Sequence, residues 1–549
     1  MYTVLMKVLH DFNIPLDRII GICSDGASTM RGRHKGVCTQ LENYLRELRG
    51  ATMNDIIVKD NNNRRPLASF HGSRGILSVH CVCHRLALIL TDAIKGSRSV
   101  EKIIPDECIT LLNSLYNYFA RSPARKKAMR AYIKTENDYN KRQRQVAQRQ
   151  RLQVQADRRI RGQDQHTIQQ NPVEDLEQIM GILEERHKLP RRVVLTRWLS
   201  SAEAVRVVLN CRHVYINFFI NETNENANDI LELLEDSYVL AWYACMHDVL
   251  PVLTRMNILF QSSLPLPHLL FAKISSAKTT LINMVGTGGA RTNLISLEAV
   301  DVNTSFGAYA NKFVQNNIGR AALHGTPLDD RQVLSLKKSW YKLYAHCLEQ
   351  IDSRFPQENM HIFKLMQVID PSIVHGPLRR QLIGTDDLVV VVGHLLHIFE
   401  IPVHTAEIAS LEEIKNSFVA FRASEFCADL WKEITKENAG LCQRGKPIDY
   451  TLIYPFYRQL MQVPDLKPWA LFALFVLVFP TGNAISERGF SAMGSAHSKQ
   501  RSELSHDQVF AHLIIGFNGP TVAEFAAQLD IESRQPNWPL YTPPCNLNM

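Results

Sequence analysis

The sequence lacks the features of membrane and secreted proteins. Its longest apolar run, Trp469 to Pro480, is far short of the roughly 20 residues that span a bilayer, and Met1 is not followed by a basic region and an apolar stretch. The 11 cysteines are an odd number scattered over 549 residues, which favours reduced thiols over a disulfide framework. We therefore expect a protein of the cytosol or nucleus with no membrane partner.

The sequence also lacks the motifs of common enzymes. It has no Walker-type Gly-rich loop, no Gly-x-Ser-x-Gly elbow, no kinase motif set and no His-Glu-x-x-His. Ordinary hydrolases and nucleotide enzymes are therefore disfavoured, and we expect no small-molecule substrate. The composition, with 45% apolar and 21% charged residues, is that of a globular protein, and the length allows several domains.

Positive charge is concentrated in one segment. The formal net charge is +8, but Arg121 to Arg161 holds 14 Lys or Arg residues against three acidic ones, so the rest of the chain is net negative. From about Glu136 to Gln170 the segment is rich in Gln and Arg and offers little apolar surface to bury. We interpret this stretch as a solvated linker or a surface helix, and residues 121–190 as a whole as a basic linker. The segment could bind phosphate backbones, although most such runs are solvated surface.

The N-terminal residues follow an α/β pattern. The spacing of Val4, Leu5, Val8 and Leu9 is typical of a helix, and Ile14-Pro15 indicates a turn. Short apolar strands and one further helix follow: a strand from Arg18 to Ser24 ended by Asp25-Gly26, a strand from Ile76 to Val82, a helix from His84 to Ile94, and a strand from Val193 to Leu195.

The rest of the chain is predicted to be mainly helical. From Ser200 to about Glu437 the periodicity is helical, and Asp229 to Phe260 reads as one helix. Its apolar face would hold Ile230, Leu234, Tyr238, Ala241 and Cys245. Another folded stretch begins near Asp449. Within it, Trp469 to Phe479 is apolar on all sides and must be buried, either in the core or against another chain.

Two carboxylates are candidate metal ligands. Asp25 ends a strand and precedes the small residues Gly26, Ala27 and Ser28, which would let a metal ion or phosphate approach the backbone. Glu487 would lie in a first helical turn, where amide dipoles stabilise the anion and favour metal ligation. Each has a structural alternative: Asp25 could cap the next helix, and Glu487 could simply stabilise its own.

Two further groups of residues have both functional and structural interpretations. His80, Cys81, Cys83 and His84 could ligate zinc, but no second ligand pair follows at a suitable distance, so buried thiols and a hydrogen-bonded His are favoured. Arg197-Trp198 could hold a phosphate and stack on an unpaired base, whereas Trp is more often a core residue.

Four motifs, taken in order, resemble the hAT superfamily of transposases and their domesticated descendants. The motifs are Ile22-Cys23-Ser24-Asp25-Gly26-Ala27-Ser28-Thr29-Met30 with Gly32 and Lys35-Gly36-Val37; Cys81-x-x-His84 before Leu86-Ala87-Leu88; Thr196-Arg197-Trp198-x-Ser200; and Ser486-Glu487-Arg488-x-Phe490-Ser491 with Arg501 and Leu504. Their order and their spread over about 500 residues make the resemblance specific.

The resemblance implies a fold class of α/β plus α. An RNase H-like fold would be interrupted by a large all-helical insertion and completed by the C-terminal dimerisation region. The domain limits are then residues 1–120 (first part of a partial RNase H-like region), 121–190 (basic linker), 191–198 (RNase H-like strand), 199–437 (helical insertion), 449–518 (dimerisation region) and 519–549 (Pro-rich tail).

The resemblance also implies roles for single residues. Two Asp and one Glu would hold two Mg²⁺ or Mn²⁺ ions for an in-line displacement at phosphorus, with Asp25 as the second Asp and Glu487 as the Glu. Cys81 and His84 would line the DNA site, and Arg197 and Trp198 would contact flanking DNA. Self-association, as a dimer or higher oligomer, would use Trp469, Phe472, Phe475, Leu477 and Phe490.

One departure from the resemblance affects the expected activity. Met1 already falls in the helix that should follow the first three strands, so we expect the first catalytic Asp, those strands and the N-terminal zinc finger to be missing. The leading hypothesis is a nuclear, transposase-derived protein that self-associates and binds DNA without strand transfer by this chain alone. The alternatives are a fragment of an active Mg²⁺-dependent transposase and a pure protein-interaction module.

Overall fold

The computed structural model describes most of the chain up to Asn483. Nearly all of these residues belong to one compact unit, Met1–Gly482. The described residues are 2–11, 13–16, 19, 21–32, 35–48, 68–70, 77–96, 102–160, 188–191, 199–222, 224–262, 264–286, 292–317, 327–375, 410–436, 438, 448–483 and 488.

A small sheet lies near the N-terminus. Strands β1 (Gly21–Ser24), β2 (Ala68–Phe70) and β3 (Leu77–His80) are ordered β1-β3-β2, with β1 parallel and β2 antiparallel to β3. The two predicted strands are present but shorter than expected. Ile19 donates to the Leu16 carbonyl in a turn, so β1 begins only at Gly21. Strand β2 was not predicted, because three residues give no periodic signal.

The two faces of β1 are covered by different groups of side chains, because successive strand residues point to opposite faces. Helices α1 (Tyr2–Asp11), α2 (Ser28–Arg31) and α3 (Val37–Leu48) follow the α/β pattern. Leu41 and Leu45 of α3 form a small core with Leu5 and Leu9 of α1, and Ile22 packs against it. Cys23, the next residue, packs against the large core of the molecule.

Helix α4 (Val82–Lys95) follows β3 directly and is buried along its length. The helix begins two residues earlier than predicted, so Cys81 is its N-cap and Val82 belongs to the helix rather than to the strand. It ends at Gly96, whose φ of 67° is readily adopted only without a Cβ. Its buried residues face both the sheet and the helices that follow.

The basic segment is largely helical. Helix α5 (Asp106–Ala120) leads into α6 (Pro123–Ile160), so residues 123–160 form a helix rather than a linker. The helix alternative given for Glu136 to Gln170 is therefore confirmed up to Ile160. Met129 and Ile133 are buried, and the Tyr132 ring contacts Phe218 at 6.3 Å between centroids. These contacts fix the first turns of α6 to the body of the protein.

Most of the described residues in the range 199–437 are helical, as predicted, whereas residues 292–307 form loops and turns with one short 3-10 helix, Leu297–Ala299. None of the described helices is both long and apolar enough to cross a membrane. The helices are α7 (Leu199–Phe219), α8 (Glu225–Glu235), α9 (Ser237–Phe260), α10 (Pro267–Asn283), α11 (Ala308–Asn316), α12 (Asp330–Arg354), α13 (Gln357–Leu365), α14 (Pro371–Val374), α15 (Leu411–Ala423) and α16 (Glu425–Ile434).

The stretch from Asp229 to Phe260 is two helices rather than one. Asp236 ends α8 and caps α9, accepting hydrogen bonds from the backbone N–H groups of Tyr238 and Val239. This cap resets the helical phase, so Tyr238 is exposed although it was placed on the apolar face. Continuing one helical period across the capping residue Asp236 therefore placed Tyr238 on the buried face, which is wrong.

The apolar segment after Asp449 lies in the core of the chain itself. Helix α17 (Ile453–Leu460) precedes α18 (Lys467–Leu477), and the Trp469 ring contacts Phe418 of α15 at 4.6 Å between centroids. Trp469, Phe472 and Leu477 are buried, so the expectation that these side chains contact a second chain is wrong. Phe475 is half-buried against Phe479. Phe490 lies outside the described residues.

Adjacent residues at the end of α18 test this placement. Leu477 is 0% exposed and Val478 is 53% exposed. We expect Leu477→Asp to lower the free energy of unfolding by at least about 4 kcal/mol, because it buries an unpaired charge, and Val478→Asp to change it by less than about 0.5 kcal/mol. Urea unfolding followed by circular dichroism measures both values. Equal stability of the two variants would contradict the placement of α18 in the core.

Candidate functional site

The carboxyl ends of the two parallel strands form one edge of the sheet. Ser24 pairs with His80, and the Cys81 N–H donates to the Ser24 carbonyl at 2.8 Å, which extends the ladder by one bond. Asp25 and Cys81, the residues that follow each strand, therefore lie side by side. Ligands of open α/β sheets bind outside this edge, so it is the candidate site.

Asp25 makes a local hydrogen bond at this edge. One of its carboxylate oxygens accepts from the Ala27 N–H at 3.2 Å, just before α2 begins at Ser28. This is the structural alternative that the sequence left open, a turn carboxylate ahead of a short helix. The side chain is partly exposed, so its remaining lone pairs can accept further donors or a cation.

Two imidazoles lie beside the Asp25 turn. The His80 ring is buried and stacks on the His84 ring, with 5.5 Å between centroids and 26° between planes. A Cβ placed on Gly26 would lie 2.5 Å from Cε1 and 2.7 Å from Nε2 of His80. The ring therefore fills the space that glycine leaves open, and only glycine allows this approach. His84 is partly exposed and remains a candidate contact for a ligand.

Cys81 does not face a ligand. Its side chain is 0% exposed, so the expected DNA contact by this residue is wrong and its sulfur belongs to the core. The start of α4 is held by the protein itself: the Val82 N–H donates to the Thr481 carbonyl at 3.1 Å. Cys83 and Asn257 also bond reciprocally, Sγ to the Asn257 carbonyl at 3.6 Å and Nδ2 to the Cys83 carbonyl at 3.4 Å.

The segment after α18 packs closely against α9. A Cβ on Gly482 would lie 2.8 Å from the Phe260 carbonyl oxygen, so glycine is needed where the backbone passes the end of α9. Thr481 is buried and caps α4 through its carbonyl. Residues distant in sequence thus meet at the start of α4, from β1, α9 and residues 480–482.

Several predicted site residues lie outside the described part of the chain. Arg197, Trp198 and Glu487 are among them, together with the strand expected at residues 193–195. The nearest described segment before Arg197, residues 188–191, is bound to α7: Tyr215 donates to the Lys188 carbonyl at 2.6 Å and Lys188 pairs with Glu203 at 3.2 Å. The roles of these residues stay predictions.

Sequence reasoning missed the residues that hold the edge in place. Asn257 is a buried amide in an apolar helix, and Thr481 acts through its backbone. A lone Asn among apolar residues could have signalled a specific partner, because a buried amide needs hydrogen bonds. Nothing in the local sequence identifies that partner as Cys83, which is 174 residues away.

The donor set of the described edge is a poor match to a hard cation. The described residues contain no group of three or more His, Cys, Asp or Glu side chains placed to hold a metal ion. Mg²⁺ prefers several oxygen ligands, whereas this part of the edge offers one carboxylate beside imidazoles and a buried thiol.

Comparison with known proteins gives no identification. No family model matches the chain, and no curated protein matches it either.

The contact between Gly26 and His80 generates a double-mutant test. We expect Gly26→Ala to lower the free energy of unfolding by about 1–3 kcal/mol, because the added Cβ must displace a buried ring. In a His80→Ala background the same substitution should have a much smaller effect, because the obstructing ring is gone. Urea unfolding of the four proteins gives the coupling energy. An equal loss in both backgrounds would refute the contact.

Proposed function

We propose that this protein derives from a hAT transposase and acts by binding DNA and associating with itself, without strand transfer by this chain alone. The observation that carries the proposal is the parallel pairing of β1 with β3. It places Asp25 beside Cys81, the N-cap of α4, so the Asp25 motif and Cys81-x-x-His84, two of the four motifs on which the resemblance rests, lie next to each other. The nucleus is the compartment that such a role requires.

The surroundings of the sheet support an RNase H-like origin. The Ile22 face of β1 packs on α1 and α3, and the Cys23 face packs on the main core, so helical residues cover both faces. A parallel pair covered on both faces is the usual arrangement in α/β folds. The helices from α7 to α16 correspond to the helical insertion that the resemblance implies.

The proposed absence of strand transfer rests on the chemistry of the candidate edge. Displacement at phosphorus by two metal ions needs ligands that place both ions. Among the described residues, Asp25 is the carboxylate that directly follows β1, and no group of three or more His, Cys, Asp or Glu side chains is placed to hold a metal ion. We therefore derive no catalytic step through Mg²⁺ at this edge. The role of Glu487 as a metal ligand is implied only by its motif.

A nicking assay separates this proposal from that of an active transposase fragment. We expect neither the wild-type protein nor Asp25→Asn to nick supercoiled plasmid DNA in the presence of Mn²⁺, and we expect both to bind the DNA equally. Gel electrophoresis measures nicking, and filter binding measures retention. Nicking by the wild type that Asp25→Asn abolishes would replace the proposal with the transposase alternative.

Self-association is proposed for the region from residue 449 to 518. Trp469, Phe472 and Leu477 cannot mediate it, so an exposed apolar residue of the region is the appropriate probe. Sedimentation velocity should show an oligomer whose fraction rises with protein concentration, and Val478→Asp should shift it towards the monomer. Val419→Asp is the matched control, because Val419 on α15 is also an exposed valine, at 45%, and lies outside the region.

Two outcomes of the sedimentation experiment would count against self-association through this region. One is a wild-type monomer at every concentration, which would remove self-association from the proposed function. The other is an equal response of the two valine variants, which would show that the added charge, and not its position, determines the result. A protein that associates but retains no DNA would instead favour the pure interaction module.

A further inference from the structure

Helix α6 exposes a row of positive charge along one side. Lys127, Arg130, Lys134 and Lys141 are all exposed. At 3.6 residues per turn they fall within an arc of about 60° around the helix axis. These four residues are called the basic stripe below.

The other side of α6 packs against the rest of the protein. Met129 and Ile133 are buried, Tyr132 contacts Phe218, and the Arg125 guanidinium lies over the Tyr118 ring at 4.2 Å from its centroid. Tyr118 in turn donates to the Glu222 carboxylate at 2.6 Å. The helix is therefore held in one orientation at its N-terminal end, and the basic stripe is the side that it presents to solvent.

The stripe is not neutralised within the described part of the protein. No ion pair joins any of its four cations to a carboxylate among the described residues. Asp138 is exposed on the same side and offsets one charge, but Arg142 and Arg149, also exposed, extend the row. Successive charges from Lys127 to Lys134 are about 4.5 and 6 Å apart along the axis, within one Debye length of about 8 Å, so their fields add.

The stripe weakens the helix that carries it. Lys127 and Arg130 are three residues apart and Arg130 and Lys134 are four apart, so like charges are neighbours on the surface. Such pairs destabilise a helix, whereas α7 places opposite charges at this spacing, as in Glu203 with Arg206 at 2.6 Å. An external polyanion would remove the repulsion.

We propose that the basic stripe binds the phosphate backbone of duplex DNA without reading its sequence. This inference rests on the proposed DNA-binding function and assigns it to a surface. The row from Lys127 to Arg149 is about 33 Å long at 1.5 Å per residue, close to one turn of duplex DNA at about 34–36 Å. Lysine and arginine on an exposed helix bind phosphates by charge and need no base contact.

Two other polyanionic partners fit the helix less well. Single strands are held by aromatic stacking as well as charge, but the exposed aromatic of the described helix, Tyr139, lies about 120° around the axis from Lys127. Membrane-surface helices insert an apolar face beside their basic one, and the apolar residues Met129 and Ile133 are already buried in the protein.

The test compares two triple variants that remove the same charge. The first is Lys127→Gln, Arg130→Gln and Lys134→Gln in the stripe. The second is Arg331→Gln, Lys338→Gln and Lys342→Gln, three exposed cations of α12. Glutamine retains helix propensity in both. Fluorescence anisotropy with a labelled duplex, measured over a range of salt concentrations in the full-length protein, gives the affinity and its salt dependence.

We expect the stripe variant to lose at least about tenfold in affinity and to reduce the slope of log K against log salt by about 3. The α12 variant should retain the wild-type slope within one unit. Unfolding measured by circular dichroism should show the stripe variant as stable as the wild type or more so, because repulsion has been removed. If the stripe residues only stabilised the fold, the stripe variant would instead be less stable than the wild type.

The possible failures are distinguishable. If the wild type does not bind the duplex, both the proposed DNA binding and its assignment to the stripe are overturned. If it binds and the two triple variants behave alike, only the assignment fails. A single strand of the same length or phosphatidylserine vesicles should compete weakly, and equal competition by either would replace duplex DNA as the partner.

Discussion

The burial of helix α4 is the constraint on which the rest of the structure depends. Its first turn is bonded to Asn257 and Thr481, and its middle is held through the Ile89 carbonyl, 2.9 Å from Nε2 of His346. Near its end Asp92 pairs with Arg354 of α12. A helix buried around most of its circumference must satisfy its buried polar groups with specific partners. The same contacts fix Cys81 beside Ser24, so the helical body determines where the sheet edge lies.

The sequence predicted local features well because local physics determines them. The short apolar run that ends at Asp25-Gly26 predicted β1, and the apolar period after His84 predicted α4, since both signals are contained in a few neighbouring residues. Three expectations failed for different reasons. Residues 123–160 were assigned to a linker because they offer little apolar periodicity, yet they form α6. A single helix was read through Asp236 because a cap interrupts the period there. Strand β2 was missed because three residues give no periodic signal.

The candidate site was predictable in its position along the chain but not in its chemistry. Motif order located Asp25 and Cys81, which the parallel pairing of β1 and β3 brings together. The motif does not indicate which of its side chains are exposed to solvent. Cys81 was therefore predicted to contact DNA, although its side chain is buried. Glycine is needed at position 26 because the His80 ring lies close to it. The two residues are 54 positions apart in the sequence, so local sequence could not predict this contact.

The apolar segment at α18 and the basic face of α6 show how the same kind of sequence bias leads to different outcomes. A residue set that is apolar on all sides must find apolar partners, and the aromatic rings of α15 supply them within the chain. A row of like charges has no comparable requirement, because water solvates it at little cost. The need for burial therefore determines where α18 packs, whereas the exposed cations of the basic stripe need no protein partner. A fixed orientation on the body, an excess of positive charge and repulsion within the helix together favour a surface directed at a polyanion over one that merely faces solvent.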